Sequence, residues 1–164
     1  MNNVLIENWN NRINDNDDVY ILGDFCFGNL ERWKFFLLEL KGKKHLIVGN
    51  HDSKRINNLD IYKLSNSVDY YLELQDNGRT VILSHYPILF YNHSYSSNTF
   101  MLYGHVHNRT EESKYTREFI KILKEKSKLN CANLFNVGCM IQGIDYTPRT
   151  LDEIIEIYKR SDNF

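Results

Sequence analysis

Cysteine is scarce in this chain, with only Cys26, Cys131 and Cys139 present, and no two of them are spaced as a CxxC pair. An odd number of scattered thiols argues against a disulfide framework and fits a reducing compartment, where free cysteine behaves as a small hydrophobe. Proline is scarcer still, at two residues, and the eight glycines gather into no linker. Nothing therefore divides the chain, and a single domain over residues 1–164 is expected. No apolar run approaches the ~18 residues of a membrane span. The start carries no basic segment followed by an apolar one, so a soluble, cytoplasmic protein with no membrane partner is expected. Charge of one sign is missing too: 20 Lys+Arg face 21 Asp+Glu, a net −1. Without a basic field, nucleic acid is a disfavoured partner.

What the chain does contain suits a packed globule. Hydrophobic residues make up 42% of it and aromatic residues 13%, enough for one proper core at this length. Leu5, Trp9 and Ile13 recur at helical spacing. Asn29 is placed to cap a helix with Trp33, Phe36, Leu37 and Leu40 on one face, ending at Gly42. A third helix is expected from about Thr116 to Lys126, and Thr150 with Glu153 forms a capping box for a fourth. Strands are expected at 19–22, 44–48, 70–74, 79–83, 100–103 and 133–137, with Asp76-Asn77-Gly78 as a hairpin turn. Early alternation of strand and helix followed by strand-rich sequence indicates a mixed α/β fold with two sheets.

Four of the apolar runs end in polar clusters. Val19–Leu22 leads into Gly23-Asp24, and His45–Val48 into Gly49-Asn50-His51-Asp52. Val81–Leu83 leads into Ser84-His85-Tyr86-Pro87, and Phe100–Tyr103 into Gly104-His105-Val106-His107. Open α/β sheets gather ligands beyond the carboxyl ends of their strands. In isolation each cluster has a plainer reading: Asp24 as a turn residue, Asn50-His51-Asp52 as a helix cap or Asx turn. Together they supply a carboxylate, an amide oxygen and several imidazoles. That donor set suits Mn²⁺, Fe²⁺, Zn²⁺ or Ni²⁺ better than Mg²⁺ or Ca²⁺.

The series GD, GNHD, HYP and GHVH, with Asn136-Val137-Gly138 and the Pro148 to Ile154 tail, resembles the calcineurin-like metallophosphoesterases, and in particular their small single-domain bacterial and phage members. The likeness runs from about Val4 to about Ile155. It implies a four-layer α/β/β/α sandwich and a metal-dependent hydrolysis of a small phosphomonoester or phosphodiester by metal-bound hydroxide. It implies that Asp24 bridges two metals, that Asn50, His85 and His105 complete the second site, and that His107 reaches the first. It places His51 beside the phosphate, as an aid to the leaving group, with Asp52 holding the His51 imidazole. Arg109 and Arg149 are further candidates for phosphate contact, since guanidinium matches phosphate geometry.

One departure stands out. The family opens with a strand ending in Asp-x-His that supplies two ligands to the first metal, and that triplet occurs nowhere in this sequence. Residues 1–10 resemble the helix that follows this strand in relatives, so an N-terminally truncated fold is expected. One metal site of the family's two is then complete. A sheet edge left bare would favour a homodimer, and activity would be low. The alternatives are a catalytically weak metal-binding scaffold or interaction protein of the same fold, and a nuclease.

Overall fold

The computed structural model describes residues 2–108, 110–126 and 133–160. Arg109 and Cys131 lie outside the described residues. The chain runs through α1 (Asn2–Asn10), β1 (Asp18–Ile21), α2 (Leu30–Glu39), β2 (Lys43–Ile47), the short α3 (Ser53–Ile56) and α4 (Leu59–Leu64), and β3 (Ser67–Asp69). It continues through β4 (Tyr71–Asp76), β5 (Arg79–Ser84), β6 (Thr99–Tyr103), α5 (Glu111–Lys126), β7 (Leu134–Asn136) and α6 (Leu151–Arg160).

The strands form two sheets. The first is parallel throughout in the order β1-β2-β3, and among the described residues β1 borders it, pairing with β2 alone. In the second, β4 and β5 form the antiparallel hairpin expected from Asp76-Asn77-Gly78, and β6 and β7 add in parallel. Asn77 and Gly78 both take positive φ, as a two-residue hairpin turn requires.

Alternation along the strands sorts the core into layers. Leu46 and Val48 face outward from the first sheet and pack with Trp33 and Leu37 of α2, Ile56 of α3 and Ile61 of α4. Ile47 points the other way and joins Val81, Leu83, Phe100, Leu102 and Phe135 of the second sheet. The far face of that sheet, Ile82, Met101, Tyr103 and Leu134, is covered by Tyr91 and by Ile120 of α5. Helices, sheet, sheet and helix therefore stack as an α/β/β/α sandwich. α6 sends Ile154 into the inner cluster, where Ile47 is the one fully buried member from the first sheet.

Caps fix the helices that frame the site. Asn29 accepts the Arg32 amide at 3.0 Å, and Thr150 and Glu153 close the expected capping box. α5 starts earlier than the apolar spacing implies, because the Thr110 hydroxyl accepts the Ser113 amide and Glu111 and Glu112 favour a helix N-terminus. The loop after Leu89 packs on α5 through the ring pair Phe90–Phe119 and buries Tyr91. Among the described residues, no helix is long and apolar enough to cross a membrane.

Candidate metal centre

β1, β2, β5 and β6 each end just before one of the four polar clusters, and the topology brings those ends together. Ligand atoms of Asp24, His85 and His105 lie within 4.8 Å of one another. Asn50 joins them, its Oδ1 standing 2.9 Å from Nε2 of His85.

His85 sits at the centre of the group and is only 2% exposed. Its Nδ1 lies 2.8 Å from the carbonyl oxygen of Leu22, to which it can only donate. In the neutral ring, Nε2 then carries a lone pair. That lone pair meets Asn50 Oδ1 at 2.9 Å, His105 Nδ1 at 3.1 Å and Asp24 Oδ2 at 3.6 Å. Oxygen and nitrogen lone pairs converging this closely repel unless a proton or a cation lies between them. Two imidazoles, an amide oxygen and a carboxylate make a donor set that a first-row divalent metal satisfies. The backbone carbonyl on the far nitrogen of His85 is the usual orienting partner of a ligand imidazole.

The approach of the loops is made by two glycines. A Cβ on Gly49 would stand 2.4 Å from Asp24 Oδ1 and 2.5 Å from Asp24 N. On Gly23, at φ +85°, it would stand 2.2 Å from His85 Nδ1. Asp24 itself has φ 52°, a left-handed conformation that is uncommon outside glycine and that recurs at functional sites.

Asp52 is engaged by backbone amides of both loops. Its Oδ2 accepts the Gly49 amide at 2.8 Å and the Asp24 amide at 2.7 Å, and its Oδ1 accepts the Phe25 amide at 3.1 Å. Among the described residues, no hydrogen bond joins it to the His51 imidazole. Burial lifts its carboxyl above the usual carboxylate value, while the Gly49 and Asp24 amides pull it back. Asp52 is thus a clamp that ties the loop after β1 to the loop after β2. His51 is exposed at the rim of the group, and its amide donates to Asp24 Oδ1 at 2.9 Å.

His107 lies outside the three-residue group. It shares the alternation of His105 around buried Val106, but β6 ends at Tyr103, so strand geometry no longer fixes where its ring stands. Its side chain is exposed and its carbonyl accepts the Thr110 hydroxyl at 2.9 Å. Arg149 lines a separate cleft with Asp152, Glu153, Glu156 and Arg160, whose three carboxylates suit an anion poorly. Cys26 packs beside the Trp33 cluster, and burial pushes its thiol pKa up, which disfavours the thiolate a metal would need.

Asn136, at the end of β7, is a residue whose role the motif did not reveal. It is buried, its Nδ2 donates to the Val106 carbonyl at 2.6 Å, and its Oδ1 accepts the Gly138 amide at 2.9 Å. It therefore holds the loop that carries His105. Asn136→Leu keeps the branched shape in a bulkier side chain and removes both bonds, and each buried group left unpaired costs about 1–3 kcal/mol. Metal affinity, read by competition against a coloured chelator, is expected to fall by about 10–100-fold, as for other outer supports of metal ligands. Unchanged affinity would show that the loop holds its shape without Asn136.

The chain matches the calcineurin-like phosphoesterase family over residues 3–156. An uncharacterized protein of Methanocaldococcus jannaschii is 27% identical, over 98% of this chain and 76% of its own length. The Gene 66 protein of Mycobacterium phage D29 is 31% identical, over 68% of each chain. A solved structure of a protein of unknown function from Aquifex aeolicus, 23% identical, shares the fold with a TM-score of 0.60, over 94% of this chain and 83% of that one. The match extends over nearly the whole length and covers all four strand-end clusters: the chain belongs to the calcineurin-like phosphoesterase family.

Proposed function

We propose that this chain hydrolyses a small phosphomonoester or phosphodiester, using a divalent transition metal (Mn, Fe, Zn or Ni) held by Asp24, Asn50, His85 and His105. The observation that carries this reading is the His85 imidazole, locked by the Leu22 carbonyl so that its free lone pair points at three other donors. A bound metal would supply Lewis acidity toward the phosphoryl oxygens and lower the pKa of a water.

The chain's own residues do the rest. Asp24 orients the His51 backbone through its Oδ1, and Arg55 holds the His51 carbonyl at 3.2 Å. The exposed imidazole is then free to give a proton to the ester oxygen as the P–O bond to the leaving group breaks and a water oxygen bonds to phosphorus. Positioned acid catalysis of this kind contributes ~10²–10⁴-fold. Asp52 keeps the two loops in register while this happens.

Phosphate release from p-nitrophenyl phosphate and its diester, with added Mn²⁺, tests the proposal. His51→Ala is expected to keep its metal and lose about 10²–10⁴-fold in turnover. Asp24→Ala is expected to lose both. Metal content without turnover in the wild-type chain would instead favour a metal-binding scaffold. Salt-sensitive DNA binding would favour a nuclease.

A further inference from the structure

Phe27 is 64% exposed, although it lies two residues past Phe25, which packs its ring edge-on against Trp33 and Phe36. An exposed phenylalanine alone needs no explanation. The backbone that carries this one is held in place. The carbonyl before it, of Cys26, accepts the buried indole N–H of Trp33 at 2.7 Å. The carbonyl after it, of Gly28, accepts Nε of Arg55 at 2.7 Å. Arg55 in turn holds the carbonyl of His51. The backbone is therefore anchored on both sides of Phe27. The ring stands 5.2 Å from the His51 imidazole, centroid to centroid.

Tyr86 makes a useful contrast. It is also exposed, but its ring already lies against the imidazoles of His85 and His105, at 5.0 and 4.6 Å. It walls the donor group. Phe27 sits at the other end of the chain of contacts, next to the residue that meets the leaving oxygen, and most of its surface faces solvent.

We infer that Phe27 is the seat for the leaving group and that the preferred substrate is a phosphoester whose alcohol carries a planar aromatic ring. The inference rests on the phosphoesterase reading and deepens it. With the phosphoryl group at the metal that Asp24 and His85 would hold, an ester oxygen at His51 would lead outward toward the Phe27 ring. A flat ring can stack there at no cost in loop ordering, since the backbone on both sides is already fixed. An aliphatic chain loses rotamer freedom to cover the same surface.

The experiment compares 2-phenylethyl phosphate with ethyl phosphate, both esters of primary alcohols, in the metal-loaded full chain. An aromatic pair together with the area it buries predicts a kcat/KM ratio of about ten in favour of the phenylethyl ester. Phe27→Ala is expected to bring that ratio near one, and Phe27→Tyr to restore it. A parallel pair, benzylphosphonate and methylphosphonate, is titrated by calorimetry for binding alone. If ethyl phosphate is hydrolysed as well as its phenyl relative, or the ratio survives in Phe27→Ala, the seat is not at Phe27. If neither ester is hydrolysed, the phosphoesterase reading fails, and the phosphonates decide the ring seat by themselves. A benzylphosphonate preference lost in Phe27→Ala supports it, and equal binding of the two overturns it.

Discussion

His85→Ala is expected to strip the chain of metal and, with it, to reduce phosphoester turnover by about 10³-fold, the equivalent of several kcal/mol of Lewis-acid stabilisation. The size follows from the position. His85 is nearly fully buried and is the one side chain in contact with every other donor of the group. Its loss leaves Leu22 with an unpaired carbonyl and leaves Asp24, Asn50 and His105 facing a void. Elemental analysis of protein purified without chelator is expected to give about one metal per wild-type chain, because the assembled donors amount to one site. In the variant it should give close to none. His85→Gln places an amide on a longer stem and is expected to fold normally without restoring the metal. A variant that kept a full equivalent would show that the donor group is a structural hydrogen-bond cluster.

The site could be found in the sequence because its parts follow a rule that sequence can express. Each donor comes just after an apolar run, and apolar runs become strands whose carboxyl ends meet. Asp24, Asn50, His85 and His105 were therefore legible, as were the caps at Asn29 and Thr150, whose partners lie three residues on. Features that depend on distant backbone were not. The short β3, only Ser67–Asp69, has no alternation to read and exists by pairing with β2. α4 begins at an Asn58 cap and buries Ile61 completely, but six residues show too little periodicity to stand out. The resemblance alone assigns His107 to the first metal site, and with β6 ending at Tyr103 no strand geometry fixes where its ring stands. Asp52 looked like the natural partner of its neighbour His51, and only the folded chain reveals three amides converging on it from two loops.

That convergence makes Asp52→Ala the substitution with the largest expected effect on stability. The carboxylate is 2% exposed and accepts three backbone N–H groups. Hydrogen bonds to a charged acceptor contribute about 1.5–3 kcal/mol each, while burial of the charge takes back part of the sum. Truncation orphans three amides at once, and a net loss of about 4 kcal/mol is expected, or a fall in Tm of about 8–16 °C. Asp52→Asn should lie between wild type and alanine. Its one oxygen can still serve the Gly49 and Asp24 amides, which share Oδ2, but its NH₂ then faces the Phe25 N–H, donor against donor. Metal affinity should fall in the same order, because the clamp sets the distance between Asp24 and Asn50. A catalytic partnership with His51 predicts something else: in Asp52→Asn, an altered pH profile of turnover with Tm and metal content unchanged. Thermal melts and metal titrations on the two variants separate a carboxylate that holds loops from one that tunes an imidazole. The amide geometry favours the first, since both carboxylate oxygens are already engaged by backbone.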